Sequence, residues 1–176
     1  FRRVLIRSDQ NARGVEFLMK KHKVAVLRGQ GKLAAGRKLT VGNESYTASK
    51  ALVVATGTSV KGLPQAGLDL NRSTVISSDE ALFLERAPAS LAIIGAGAVG
   101  MEFADIFNAF GSEVTLIEVL PRLLPMEDTE CSAELAKIYK KRGIASLTGA
   151  TVTRATVAET AVTLEIETGS RRQTLE

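Results

Sequence analysis

Residues 91–118 read LAIIGAGAVGMEFADIFNAFGSEVTLIE, and this stretch decides the fold. It begins with an apolar strand pattern over residues 91–94 and continues directly into a glycine-rich turn. A helical pattern follows over residues 98–110 and ends at Gly111, after which residues 113–118 form a second apolar strand pattern. A strand, a helix and a strand in this order predict two parallel strands joined by a helical crossover.

The glycine-rich turn has the form G-x-G-x-x-G, with glycines at positions 95, 97 and 100. Gly95 permits the tight strand-to-helix turn, Gly97 lets a pyrophosphate approach the backbone, and Gly100 lets the helix pack closely on the strands. The free N–H groups at the start of the helix, together with the helix dipole, favour a bound anion. Because the motif lies between a strand and a helix, it predicts a dinucleotide-binding loop rather than an accidental glycine turn.

Two acidic residues accompany this loop. Glu118 ends the second strand eighteen residues after Gly100, close to the spacing of about 20 expected for an acid that binds ribose hydroxyls. A carboxylate there would repel a 2′-phosphate, so the sequence predicts NAD rather than NADP; the alternative for Glu118 is a solvent-facing side chain. Glu102 lies in the first turn of the helix, where an acid gains from the dipole, and a role beside the nicotinamide is equally open.

The segments on either side of this unit predict a small meander and a doubly wound domain. Before it, the pattern predicts a helix over residues 9–23 and short strands over residues 24–27, 38–41, 45–48 and 51–55, the last apolar throughout and expected to be buried on both faces. After it, we expect a helix over residues 128–142, a strand over 144–147 and a hairpin within 152–167. Residues 64–88 predict a connector with one short helix, for which Ser77 and Glu80 form a capping box.

Two helix faces are expected to pack in the core. The first is an apolar stripe formed by Val99, Phe103, Ile106 and Phe110. The second is a face on the later helix formed by Cys131, Leu135, Ile138 and Tyr139. The position of Cys131 on such a face predicts packing rather than chemistry.

Composition excludes several classes of protein. The net charge is +4, but the basic residues are scattered near helix ends and turns, so we expect no nucleic-acid partner. No stretch approaches the roughly 20 apolar residues of a membrane helix. A single cysteine excludes an internal disulfide and fits a reducing, cytoplasmic setting. One histidine and one cysteine without ligand spacing predict no metal site, and a serine hydrolase is disfavoured because the G-x-S-x-G motif is missing.

The run over residues 91–125 resembles the NAD-binding segment of the flavin-dependent pyridine nucleotide–disulfide oxidoreductases, in particular their lipoamide branch. Three further segments agree with this resemblance. Residues 14–18 with the later Gly29-Gln30-Gly31-Lys32 resemble the start of the FAD-domain meander, residues 54–58 resemble a second flavin-contacting motif, and residues 76–82 resemble the linker into the NAD domain. The match covers essentially the whole chain in the family's order.

This resemblance implies an α/β fold, namely a three-layer FAD/NAD(P)-binding (Rossmann-like) fold with an antiparallel β-meander, incomplete at both ends. Residues 1–64 would be the C-terminal part of an FAD-binding domain, and residues 65–88 a linker with a short helix. Residues 89–176 would be an NAD-binding domain truncated before its last strand.

The resemblance also implies cofactor-binding residues. Those implied to bind NAD are Gly95, Ala96, Gly97, Ala98, Val99, Gly100, Met101, Glu102, Glu118 and Val152, with Glu118 on the adenosine ribose, Val152 by the adenine and Glu102 toward the nicotinamide. Those implied to lie against FAD are Gly31, Thr56, Gly57 and Thr58, where Thr58 departs from the usual serine.

The implied function is that of a flavoprotein oxidoreductase, which passes electrons from dihydrolipoamide through a redox disulfide and FAD to NAD⁺. Its implied setting is a cytoplasmic homodimer served by the lipoyl domain of a 2-oxo acid dehydrogenase complex. The family's redox cysteine pair and its His–Glu pair are missing from this chain, where Cys131 and His22 are the only residues of their kinds. We therefore expect an internal fragment with no catalytic residue, which is inactive by itself.

Other members of the same family are alternatives, namely a mercuric or coenzyme A disulfide reductase, an NADH oxidase or a transhydrogenase. A non-catalytic NAD-binding module is a further alternative, because a fold alone does not determine a function.

Overall fold

The computed structural model describes residues 2–176, with the side chains of residues 10–176. Predictions that concern residue 1 or the side chains of residues 2–9 lie outside the described residues. The chain divides into two compact units, Phe1–Gly57 and Thr58–Glu176. Within the described part of the chain, no helix combines the length and the hydropathy that crossing a membrane would require.

The first unit is a helix followed by a three-stranded meander. Helix α1 spans Arg2–Lys21. Strands β1 (Gly31–Ala34), β2 (Lys38–Val41) and β3 (Glu44–Thr47) pair antiparallel in the order β1-β2-β3. The predicted meander is therefore present. No residue among 10–57 is fully buried, so the described side chains of this unit form no core of their own.

Two strands predicted for the first unit are wrong. Residues 24–27 are irregular, and β1 forms later because the turn at Gly36 and Arg37, both with positive φ, pairs it with β2. Residues 51–55 are also irregular, and Val53 is 84% exposed. A strand needs neighbours for its backbone hydrogen bonds, and none of the described strands pairs with residues 51–55.

The second unit is built on a parallel sheet. Strands β4 (Ser90–Ile94), β5 (Glu113–Glu118) and β6 (Ala145–Thr148) lie in the order β4-β5-β6, with parallel pairing throughout. The crossovers are α3 (Ala98–Ala109) and α4 (Thr129–Lys141). This order confirms the predicted βαβαβ unit.

The short helix of the connector is α2, which spans Ser78–Ala81. The predicted capping box is present, since the Ser77 amide donates to Glu80 Oε2 at 2.9 Å and the Asp79 amide donates to Ser77 Oγ at 3.2 Å. These bonds fix the start of the helix and satisfy two of its exposed donors.

A second, antiparallel sheet completes the unit. Its strands are β7 (Ala150–Val157), β8 (Val162–Thr168) and β9 (Arg171–Leu175), in the order β7-β8-β9. The predicted hairpin corresponds to β7 and β8. Strand β9 was not predicted, because its sequence RRQTL lacks an alternating apolar pattern; a tight turn at Gly169 (φ +60°) returns the chain alongside β8.

Two hydrophobic clusters lie on the two faces of β5. Val114 and Leu116 pack in the cluster that contains residues of α3 and α4, whereas Ile117 packs in the cluster that contains residues of β7 and β8. Ala66 and Leu68 of the connector join this second cluster. Because both faces of β5 are covered, it is the central strand of the unit.

The predicted buried stripe of α3 is wrong. Its buried residues are Met101, Ala104 and Phe107, whereas Val99 and Phe110 are 57% and 71% exposed. Ile106 is exposed too, and Phe103 is half-buried. The helix turns this way because Gly100 faces the end of β4, where an added Cβ would lie only 1.9 Å from the Gly95 carbonyl oxygen.

The predicted packing of Cys131 is also wrong, since this side chain is exposed. The buried residues of α4 are Ser132 and Tyr139. The Ser132 hydroxyl donates to the Leu123 carbonyl, and the Tyr139 hydroxyl donates to the Met101 carbonyl at 2.8 Å. These two bonds hold one side of α4 against α3 and the loop after β5, and Cys131 lies outside that side.

Leu116 is fully buried at the centre of β5, so replacing it tests whether this strand carries the core. We expect Leu116→Ala to lower the free energy of unfolding by about 3 kcal/mol, because a cavity replaces packed methyl groups. Urea denaturation followed by circular dichroism measures this change. Met126→Ala is the control, because Met126 is 89% exposed; equal effects of the two substitutions would contradict the assignment of the core.

Candidate dinucleotide-binding site

The glycine loop joins the carboxyl end of β4 to the start of α3. Gly95 has φ +102°, a left-handed conformation that favours glycine. A Cβ added to Gly97 would meet nothing within 4 Å, whereas one added to Gly100 would overlap the Gly95 carbonyl oxygen. The three glycines thus make a turn, an open surface and a close helix–strand contact, which are the roles expected from the sequence.

The start of α3 carries backbone donors without an acceptor in the helix. Its N-cap residue is Gly97, which offers no side chain to cap the helix. The Met101 amide donates to the Gly97 carbonyl at 3.0 Å, and this is the first hydrogen bond within the helix. The amides of Ala98, Val99 and Gly100 precede that bond and have no intrahelical acceptor. Such amides, at the positive end of the dipole, can bind an anionic group.

Glu118 lies at the carboxyl end of β5, next to the glycine loop. Its side chain is buried, with 7% of the residue exposed. Oε2 accepts a hydrogen bond from the Ala96 amide at 2.8 Å, and Oε1 accepts one from the Leu120 amide at 2.9 Å. The structure therefore brings the predicted ribose-binding acid directly to the predicted pyrophosphate-binding loop.

The loop that follows β5, residues 119–128, holds the other side of the glycine loop. The Leu124 amide donates to the Ala96 carbonyl at 2.8 Å, and Leu124 has φ +45°, a strained value for a non-glycine residue. The Arg122 guanidinium donates to the Pro125 and Glu127 carbonyls at 2.8 Å and 3.0 Å, which shapes this loop from inside. Sequence reasoning missed Leu124, because a backbone amide leaves no signature in the residue pattern.

Tyr139 anchors α4 to the first turn of α3 through its bond to the Met101 carbonyl. Burial, and then the charge of nearby Asp105, raise the pKa of Tyr139 above its ordinary value. The phenol therefore keeps its proton and remains a donor over the physiological range. Sequence reasoning placed Tyr139 on an apolar face but did not identify this bond.

The remaining predicted NAD-binding residues lie in different environments. Met101 and Glu102 both lie in α3, where Met101 is buried and Glu102 is exposed. Val152 is buried in the second cluster with Ile117 and Ile166, so its side chain is not exposed to a ligand.

The predicted flavin-contacting residues are exposed. Gly31 opens β1, whereas Thr56, Gly57 and Thr58 lie in an irregular segment. Gly57 has φ +77°, which favours glycine at this position.

A cleft of about 960 Å³ extends along β4 and reaches the glycine loop, where Gly95, Gly97 and Val99 are among its lining residues. The outer edge of β4 has no strand partner among residues 2–176. In the same part of the chain, no cluster of three His, Cys, Asp or Glu side chains is placed to hold a metal ion.

A parallel sheet with a glycine loop and an acid at the end of its second strand defines a dinucleotide-binding protein of the Rossmann class. Residues 4–175 match the family model described as pyridine nucleotide-disulphide oxidoreductase. The chain therefore belongs to the pyridine nucleotide-disulphide oxidoreductase family. This membership confirms the predicted family and the predicted fold class.

Individual relatives agree with the family model. The chain is 36% identical over 171 residues to a dihydrolipoyl dehydrogenase of Chlorobaculum tepidum, with 94% of this chain and 36% of the relative covered. It is 38% identical over 159 residues to a dihydrolipoyl dehydrogenase of Zymomonas mobilis, with 88% and 34% covered. The crystal structure of LpdA from Mycobacterium tuberculosis has the same fold, with a TM-score of 0.78 at 22% identity and coverage of 98% of this chain and 39% of that chain.

The chain spans about a third of the length of these curated relatives, 36% and 34%.

Gly100→Ala tests the close contact between α3 and the end of β4. The added methyl group would overlap the Gly95 carbonyl oxygen and displace the glycine loop. Because overpacking of this kind costs on the order of 1–3 kcal/mol, we expect the affinity for NADH to fall about tenfold or more. Fluorescence titration of the purified chain measures it.

Gly14→Ala is the matched control, since a Cβ at Gly14 meets nothing within 4 Å. Unchanged NADH affinity in Gly100→Ala would show that the loop does not need this contact.

Proposed function

We propose that residues 89–176 bind NAD(H), and that the protein to which they belong is an NAD-linked flavoprotein disulfide oxidoreductase acting on dihydrolipoamide. One observation carries the nucleotide assignment: the start of α3, which has no side-chain cap, lies beside the buried carboxylate of Glu118. The first feature suits a pyrophosphate and the second suits ribose hydroxyls. Their proximity at one sheet edge supports a single dinucleotide site.

Charge supports NAD rather than NADP. A buried carboxylate at the ribose position would repel a 2′-phosphate, and Arg122 is occupied by carbonyls of its own loop. The Arg122 guanidinium is therefore not available to bind the 2′-phosphate of NADP. The preference for NAD thus rests on Glu118 and on the inward position of Arg122.

The residues of the chain bind and orient the nucleotide in this proposal. The amides of Ala98, Val99 and Gly100 hold the pyrophosphate, and Glu118 accepts the ribose hydroxyls. Val152 would lie by the adenine, and Glu102 would lie toward the nicotinamide. Ala96 fixes the glycine loop and makes no contact with the nucleotide through its backbone, since its N–H and C=O groups are already hydrogen-bonded within the protein. The bound cofactors supply the hydride exchange, which the protein directs by positioning.

The first unit is proposed to be part of an FAD-binding domain. Gly31, Thr56, Gly57 and Thr58 would lie against the flavin nucleotide. The lack of a fully buried residue among 10–57 supports this, because a unit without a core needs further structure to cover it. The exposed apolar residues Val53 and Val54 would be covered in the same way.

The sheet of the NAD-binding domain is proposed to continue beyond β4. An open strand edge leaves backbone N–H and C=O groups unpaired, and the outer edge of β4 has no partner among the described strands. The exposed apolar residues Val99 and Ile106 of α3 also support a missing layer. The domain boundaries at residues 64 and 88 belong to the same proposal.

The reaction proposed for the whole protein starts with dihydrolipoamide, carried by the lipoyl domain of a 2-oxo acid dehydrogenase complex. Relatives described as dihydrolipoyl dehydrogenases support this assignment. The redox disulfide would be contributed by residues outside this chain, since Cys131 is its only cysteine. A cytoplasmic homodimer completes the proposal, and the low cysteine content supports the reducing compartment.

Glu118→Ala tests the nucleotide preference. We expect the affinity for NADH to fall about tenfold, because hydrogen bonds to a charged acceptor contribute roughly 1.5–3 kcal/mol. The affinity for NADPH should stay the same or rise, because a repulsive charge is removed. Isothermal titration of both nucleotides measures the two changes. Glu113→Ala at the other end of β5 is the control. Unchanged affinities for both nucleotides in Glu118→Ala would overturn the ribose assignment.

The isolated chain of 176 residues should not catalyse lipoamide-dependent NADH oxidation. A disulfide reductase needs two cysteines, and one thiol cannot close the redox cycle. Absorbance at the NADH band, followed with lipoamide as acceptor, measures the rate. Turnover above that of buffer with free flavin would contradict this prediction.

A further inference from the structure

The Glu118 carboxylate accepts two hydrogen bonds from backbone amides, which ribose binding does not require. Oε2 accepts from the Ala96 amide at 2.8 Å and Oε1 accepts from the Leu120 amide at 2.9 Å, both within the protein itself. No Lys, Arg or His of the described chain forms an ion pair with this buried group. Its negative charge is therefore stabilised by these backbone donors.

Ala96 is the residue of the glycine loop whose backbone N–H and C=O groups are both hydrogen-bonded within the protein. It is 0% exposed, and its carbonyl accepts from the Leu124 amide at 2.8 Å. The preceding amide, that of Gly95, donates to the Ile117 carbonyl at 2.8 Å. The peptides on both sides of Ala96 are thus fixed relative to the end of β5. Gly97 and the donors of α3 follow directly along the chain, so their direction depends on this fixed point.

We propose that Glu118 is a positioning residue for the pyrophosphate-binding loop as well as the acceptor for the ribose. This inference rests on the proposed NAD site and deepens it. Through Ala96, the carboxylate sets the position from which the amides of Ala98, Val99 and Gly100 point at the diphosphate.

The chemistry of the carboxylate explains how one side chain serves both roles. An ionised carboxylate is an acceptor only, with about four lone-pair sites. Two sites are used by Ala96 and Leu120, which leaves two for the hydroxyls of one ribose. An amide side chain offers only one oxygen, so it can keep one backbone bond and must turn a donor toward the other.

Two ligands separate the roles. ADP carries both the diphosphate and the ribose hydroxyls, whereas 2′,3′-dideoxy-ADP keeps the diphosphate but lacks both hydroxyls. If Glu118 acts only on the hydroxyls, its removal leaves the affinity for dideoxy-ADP unchanged, or raises it because a negative charge leaves the vicinity of the phosphates. If Glu118 positions the loop, the affinity for dideoxy-ADP falls.

The experiment is a calorimetric titration of the chain with both ligands, in the wild type, Glu118→Ala, Glu118→Gln and the control Glu113→Ala. We expect Glu118→Ala to bind dideoxy-ADP about tenfold more weakly, since the cradle loses a charge-assisted bond. Glu118→Gln should recover part of that loss, because its oxygen can still accept from Ala96. The control should bind like the wild type. Wild-type or tighter binding of dideoxy-ADP by Glu118→Ala would overturn the positioning role.

Amide hydrogen exchange without nucleotide tests the same bond independently. We expect the Ala96 amide to exchange about tenfold faster in Glu118→Ala, and at an intermediate rate in Glu118→Gln. Unchanged exchange at Ala96 in both variants would overturn the inference. If the wild type bound neither ADP nor NADH, the proposed NAD site would be wrong, while the exchange rates would still decide the loop contact. If Glu118→Ala fails to fold, Glu118→Gln supplies the comparison.

Discussion

The hydrogen bond between the Glu118 carboxylate and the Ala96 amide joins the ends of two neighbouring parallel strands. A buried carboxylate is costly unless donors surround it, and here the donors are backbone amides of the loops that follow β4 and β5. The position of the glycine loop is consequently tied to β5, and with it the direction in which α3 leaves the sheet. The geometry of the candidate site therefore depends on the hydrogen bonds that the buried Glu118 carboxylate accepts from these two loops.

Strand β5 supports this contact because both of its faces are packed. Leu116 faces the cluster with α3 and α4, and Ile117 faces the cluster with the antiparallel sheet. Hydrogen bonds of two buried side chains then fix the orientation of α4. Tyr139 holds α4 to the first turn of α3, and Ser132 holds it to the loop after β5. Core packing and these hydrogen bonds together fix the elements that surround the candidate site.

The sequence was sufficient where the signals were local. The residue pattern predicts the strand, glycine loop, helix and strand over residues 91–118 with Glu118 at their end, and it predicts the capping box of α2. It was insufficient where the outcome depended on distant partners. The stripe of Val99 and Phe110 is apolar but exposed, because the close contact at Gly100 decides the helix rotation. The apolar run over residues 51–55 forms no strand without neighbours, and the Leu124 amide had no pattern to reveal it.

The start of α3 and Glu118 are proposed to form one NAD site together, and a titration of the ¹⁵N-labelled chain with NADH tests this site directly. We expect the largest amide chemical-shift changes at Gly97, Ala98, Val99 and Gly100, with a further change at Leu120 beside Glu118. The amides of β9 should remain unchanged. Saturable changes confined to β9, with no change from Gly97 to Gly100, would contradict the proposed site.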